Sequence, residues 1–199
     1  MYKTLKEVTQ TAEEMNMTVG AFNAHNLEML PEMIRAAKEM GAPIIIQTSI
    51  DTAKYIGYKT MVAVAKEIAE DEMVDVALHL DHARDFNEIK AAIDAGYSSV
   101  MYDGSHLPFK ENIAKTKAVV EYAHAKGVSV EGELGTIGGT EEGISVAEND
   151  KVYTKPEDAV EFVKQTNVDA LAIAIGTNHG QFKSKTEVNI PLLKEIHAV

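Results

Sequence analysis

The chain has 199 residues, 45% of them hydrophobic and 25% charged, which suits a single globular domain over 1–199 with a sizeable core. With no cysteine there can be no disulfide, thiolate metal site or cysteine nucleophile, so any metal must be held by histidine and carboxylate. The net charge of −12, with Arg35 and Arg84 the only arginines, argues against a nucleic-acid partner, while a small anionic substrate stays open.

The first residues, MYKTLKEVTQTAEEMNM, lack the hydrophobic stretch of a secretion signal, and no apolar run approaches the roughly 18 to 20 residues that cross a bilayer. A cytoplasmic protein with no membrane partner is expected. A first strand is predicted over Thr18–Phe22 and a helix over Asn26–Met40; the second strand, Pro43–Gln47, leads to a helix over Lys59–Glu70. The third strand, Val76–Leu80, precedes a helix over Phe86–Ala95, and the fourth, Ser98–Tyr102, precedes Phe109–Lys126. The fifth, Val128–Glu131, is followed by an irregular stretch, 132–155, and then a helix over Pro156–Gln165; the sixth, Asp169–Ile175, precedes a helix over Ile190–His197. Pro156 suits a first helical position, and Gly96 and Gly127 fall where helix-terminating glycines belong. Short β-branched runs alternating with longer amphipathic segments are the mark of βα units on a parallel sheet. The stretch 132–155 holds five glycines and several carboxylates between strand and helix, which reads as a mobile active-site loop or, more plainly, a tolerated surface insertion.

Polar residues stand at or just after the end of each strand in turn: Asn23, Ser49, Asp81 with His82, Asp103, Glu131 with Glu133, and His179. In a parallel barrel those ends share one face, where barrel enzymes build their sites. Each residue also has an ordinary reading, Asp81 and Asp103 as caps or turn residues and Glu133 and Glu142 as solvated carboxylates. Taken together, His82 and His179 offer imidazole nitrogens, and Asp103 and Glu133 offer carboxylate oxygens, a mixture suited to Zn²⁺ or a similar divalent ion. A third histidine ligand would be expected, yet His25, His106, His124 and His197 are poorly placed in loops or on outer helices. His79 has the strand parity of Asp81 but sits a layer below it, which suits a supporting role. No lysine stands in the run Asp169–Gly176 or at another strand end, which disfavours Schiff-base chemistry.

The segments VGAFNAHNLEM, VALHLDHARDF, SSVMYDGSHLPFKEN, VSVEGELGTIGGTEEG and VDALAIAIGTNHGQFK resemble, in order, those of class II fructose- and tagatose-bisphosphate aldolases. The resemblance implies a (β/α)8 barrel and a metal-dependent aldehyde-lyase that cleaves fructose or tagatose 1,6-bisphosphate to dihydroxyacetone phosphate and glyceraldehyde 3-phosphate. It implies that His82 and His179 bind catalytic zinc, that Asp103 and Glu133 serve a second divalent ion, and that Asp81 is the proton donor at the aldehyde-derived oxygen. Glu142, next to Glu141, matches the loop carboxylate that moves the proton on the dihydroxyacetone phosphate half. Gly180 and Lys183 match positions around a phosphate and a monovalent cation, Asn23 and Ser49 match substrate contacts, and homodimers or tetramers are common in the family.

The chain departs from this pattern at its end. It stops at Val199, roughly 50 residues short of the size typical of the fold, with six βα units in place of eight. A truncated sequence is the preferred reading, since open parallel edges are unstable; the other is a chain that closes its barrel by pairing with a second one. On either reading the third zinc histidine is missing. The 199-residue chain alone is therefore expected to be nearly inactive, and a partial barrel that binds metal or sugar phosphate without turnover is the alternative.

Overall fold

The computed structural model describes residues 1–141, 144–146, 152–179 and 187–199, and the chain divides into two compact units, 1–102 with 118–131 and 103–117 with 132–199.

The first unit begins with α1 (Leu5–Glu14), absent from the expectations above. Its start was written in the sequence as a capping box: the Glu7 N–H donates to Thr4 Oγ1 at 3.2 Å and the Thr4 N–H donates to Glu7 Oε2 at 2.8 Å. Leu5, Val8 and Ala12 form its buried stripe. There follow β1 (Gly20–Asn23), α2 (Met29–Met40), β2 (Ile44–Thr48), a short α3 (Ile50–Ile56), α4 (Tyr58–Glu72), β3 (Val76–Ala83), α5 (Phe86–Ala95) and β4 (Ser99–Tyr102). The α3 helix was also missed; Ser49 caps it by accepting from the Thr52 N–H at 3.2 Å.

β1 through β4 pair in parallel, with Asn23, Gln47, His79 and Ser99 in one register row. Each predicted strand is found within a few residues, and Gly96 ends α5 in the left-handed conformation as the sequence suggests. β3 carries the core: Val76, Ala77, Leu78 and Leu80 are fully buried, as the continuous apolar run of a strand covered on both faces requires. Leu30 and Ile34 of α2, Met61 and Ala65 of α4, and Ile89 and Ala92 of α5 supply the buried helix faces.

α6 (Phe109–His124) and β5 (Ser129–Leu134) each begin in one unit and finish in the other. The second unit adds β6 (Gly138–Glu141), β7 (Ile144–Val146), α7 (Pro156–Thr166), β8 (Ala170–Ile173), β9 (Asn178–His179) and α8 (Ile190–His197). Its core is Ile113, Leu134 and Phe162, against which Phe109, Val168 and Leu171 pack. Pro156 stands in the first turn of α7 as expected.

The stretch 132–155 is not one irregular loop. β5 runs on to Leu134, and β6 and β7 form an antiparallel pair, with β9 parallel to β6. Gly132, which reads as a break, lies inside β5 because a Cβ there would stand 2.7 Å from the Phe162 ring. The larger sheet has the order β1-β2-β3-β4-β5-β8, six strands with helices between them, as in six βα units of a (β/α)8 barrel. Among the described residues no helix is long and apolar enough to cross a membrane.

Candidate active site

In the first unit the polar residues at the strand ends converge on Asp81. Its Oδ2 accepts from Asn23 Nδ2 at 2.8 Å and its Oδ1 from Gln47 Nε2 at 3.0 Å. Two amides from two other strands thus hold both oxygens of a carboxylate that is only 7% exposed, fixing its plane. Gln47 was not singled out as functional by the sequence reading. Its signal was present, a lone amide closing the apolar run IIIQ.

Asp81 and His82 are adjacent, so a regular strand would send them to opposite faces. β3 avoids this with a register shift against β4: Leu80 pairs with Val100 and Ala83 with Tyr102, leaving Asp81 and His82 opposite the single residue Met101. That is a β-bulge, and His82 takes φ of +46° within it, a left-handed conformation uncommon for a residue with a side chain. Bulges of this kind re-aim side chains.

Below them His79 is fully buried. Its Nδ1 shares a 2.7 Å hydrogen bond with Ser99 Oγ, and its Nε2 lies 3.3 Å from Glu131 Oε2 without hydrogen-bond geometry. Burial pushes the His79 imidazole below its ordinary pKa, with His82 adding to the shift and Asp81 opposing it. His79 thus lies in the interior as its strand parity with Asp81 suggests, bonded to Ser99. Ser49, expected near substrate, is engaged as the cap of α3.

In the second unit Asp103 and Glu133 are 1% and 3% exposed. Asp103 Oδ1 accepts from the Ser105 N–H at 3.2 Å and from Ser105 Oγ at 2.7 Å, a local turn that orients it. The backbone at Glu133 is pinned by Asn112 Nδ2, which donates to the Glu133 carbonyl at 2.9 Å while Asn112 Oδ1 accepts from Thr116 Oγ1 at 3.0 Å. Thr154 Oγ1 donates to the Leu134 carbonyl at 2.6 Å and accepts from the Ala174 N–H at 2.8 Å, tying the ends of β5 and β8. His179 is half-buried on β9, in register with Gly139. Glu142, Gly180 and Lys183 lie outside the described residues. His25, His106, His124 and His197 are all exposed, as their places in the sequence suggested.

In the second unit the buried Asp103 and Glu133 and the half-buried His179 are donor types that fit a divalent cation of borderline softness. A parallel βα sheet with a clamped aspartate near the end of one strand is the architecture of a (β/α)-barrel enzyme. The family model for class-II fructose-bisphosphate aldolase matches residues 3–199. A fructose-bisphosphate aldolase of Staphylococcus aureus (strain Mu50 / ATCC 700699) is 43% identical over 195 residues, which span 96% of this chain and 68% of that protein. Among solved structures, the YdjI aldolase of Escherichia coli K12 superposes with a TM-score of 0.85 at 31% identity, over 100% of this chain and 69% of that one. A provisionally named fructose-1,6-bisphosphate aldolase from Coccidioides immitis gives 0.88 at 31% identity, over 98% and 69%. The chain belongs to the class-II fructose-bisphosphate aldolase family, whose members are lyases.

Proposed function

We propose that this protein catalyses the reversible aldol cleavage of a ketose 1,6-bisphosphate, with fructose 1,6-bisphosphate as substrate and its tagatose epimer as the alternative. The observation that carries the reading is the clamp on Asp81, whose two oxygens are oriented by Asn23 and Gln47 next to the re-aimed His82. In the cleavage direction Asp81 takes the proton of the C4 hydroxyl as the C3–C4 bond breaks and the C4–oxygen bond becomes a carbonyl. The bonding pair stays on the dihydroxyacetone phosphate fragment, and Glu142 returns a proton to C3. In the reverse direction Asp81 gives its proton back to the aldehyde-derived oxygen.

His82 and His179 would hold zinc, with Asp103 and Glu133 serving a second divalent ion and the region of Gly180 and Lys183 a monovalent one. When bound, zinc supplies Lewis-acid stabilisation of the negative charge, worth several kcal/mol. Asn23, Ser49, Gly180 and Lys183 are assigned to substrate binding. Family membership supports these roles, together with the position of Asn23, Asp81, Asp103 and Glu133 at or near strand ends.

The test is a coupled aldol assay on the 199-residue chain with zinc supplied, beside a calorimetric zinc titration. Weak, chelator-sensitive cleavage that falls to background in Asp81→Asn, at unchanged zinc affinity, is the expected result. Zinc binding with no cleavage would replace this reading by binding without turnover.

A further inference from the structure

One register row carries a polar residue on each of four neighbouring strands: Asn23, Gln47, His79 and Ser99. Register partners in a parallel sheet point to the same face, so the row is a continuous polar layer. Its first two members reach forward to Asp81. Its last two bond to each other, and His79 also meets Glu131 of β5. Serine, histidine and carboxylate in this order suggest a nucleophile, but Ser99 and His79 are both 0% exposed, so no substrate reaches the hydroxyl. The pair joins strands instead: the His79–Ser99 bond links β3 to β4 at the last regular pairs of β3 before the bulge, with Glu131 of β5 alongside.

The bulge makes that place consequential. A strand that gains one residue against its neighbour needs its register held firmly, because a slip of one residue exchanges the faces of Asp81 and His82. The apolar side chains around His79 offer no directional bond of their own; the imidazole does, beside Ser98 Oγ, which bonds the Leu78 backbone. We propose that His79 is a positioning residue whose hydrogen bond to Ser99, with Glu131 packed beside the ring, anchors β3 just ahead of its bulge and so sets the direction in which Asp81 and His82 leave the strand. The inference rests on the aldolase reading only for its kinetic consequences.

The test compares His79→Leu, which removes the bond to Ser99, with His79→Asn, which keeps a polar atom facing Ser99, and with Ser99→Ala. Amide hydrogen exchange in the metal-free chain reads the anchor directly. Exchange at 80–83 is expected to speed up at least tenfold in His79→Leu, less in His79→Asn, and to stay within twofold at 44–48 on β2. In the zinc-loaded chain kcat is expected to fall about 10- to 100-fold in His79→Leu with KM within twofold, partly restored in His79→Asn. If His79→Leu does not fold, Ser99→Ala decides, with the same selective loosening at smaller size. Even loosening of β2 and β3, or a kcat loss no larger than the loss of folded protein, would reduce His79 to a core residue and overturn the proposal. Absence of cleavage by the unmodified chain bears on turnover alone and leaves the exchange comparison to judge this proposal.

Discussion

The clamp on Asp81 is built from two neutral amides of different reach, and its two bonds meet different oxygens of one carboxylate. Removing either amide lets the carboxylate rotate without removing its chemistry, so Asn23→Ala and Gln47→Ala are each expected to lower kcat by about 10-fold, the size of one lost hydrogen bond to a charged group. Because both act on one plane, the double variant should lose less than the product of the single losses, which a double-mutant cycle on kcat/KM measures. His79 adds a pH signature. Its pKa is lowered in the folded state from 6.5, so the unfolded chain takes up the proton first as pH falls. The stability tied to a neutral His79 is therefore complete above 6.5 and lost as pH drops through the window below it. The charged or titratable neighbours are Asp81, His82 and Glu131. Urea midpoints in chelator should fall between pH 6.5 and about 4, and fall less steeply in His79→Gln. An equal slope in the variant would assign the effect to other groups.

At the scale of elements, β5 depends on Gly132. An added Cβ would stand 2.7 Å from Cε1 of the Phe162 ring, which is itself fully buried. Gly132→Ala is expected to destabilise the fold by about 1–3 kcal/mol, the ordinary cost of overpacking, read as a lower melting temperature. α1 offers a milder case: Thr4→Ala removes one half of the capping box and should cost about 1 kcal/mol. The sequence was legible here to an uneven degree. The six strands were visible because β-branched runs bounded by helical periodicity need no long-range information. α1 carried a readable T-x-x-E start that went unused, whereas α3, only 7 residues long, is too short for its periodicity to stand out. β6 was hidden because its glycines carry little strand propensity, and β7, Ile-Ser-Val, because a run of 3 residues is too short to stand out.

For the molecule as a whole, the expected consequence of the ligand assignment is linkage between metal and folding. Free zinc at about 100 times its dissociation constant should stabilise the chain by roughly 2.7 kcal/mol, visible as a rise in melting temperature that excess chelator reverses. A melting temperature indifferent to zinc would count against His82, His179, Asp103 and Glu133 as ligands. The net charge of −12 makes ionic strength the control, since salt alone also relieves self-repulsion.

What the sequence by itself determined was the succession of strands and helices, the appearance of Asp81, His82, Asp103, Glu133 and His179 at or after strand ends, and the likeness to one enzyme family. These rest on local patterning and on residue types in a given order, both of which survive in one dimension. Only the tertiary structure decided that Gln47 holds Asp81, that Ser49 caps a helix, and that Asp81 and His82 leave β3 through a bulge. The physical reason is register. Which residue of one strand faces which residue of the next is set by packing between segments far apart in the chain, and a left-handed φ at a histidine survives only where those neighbours impose it.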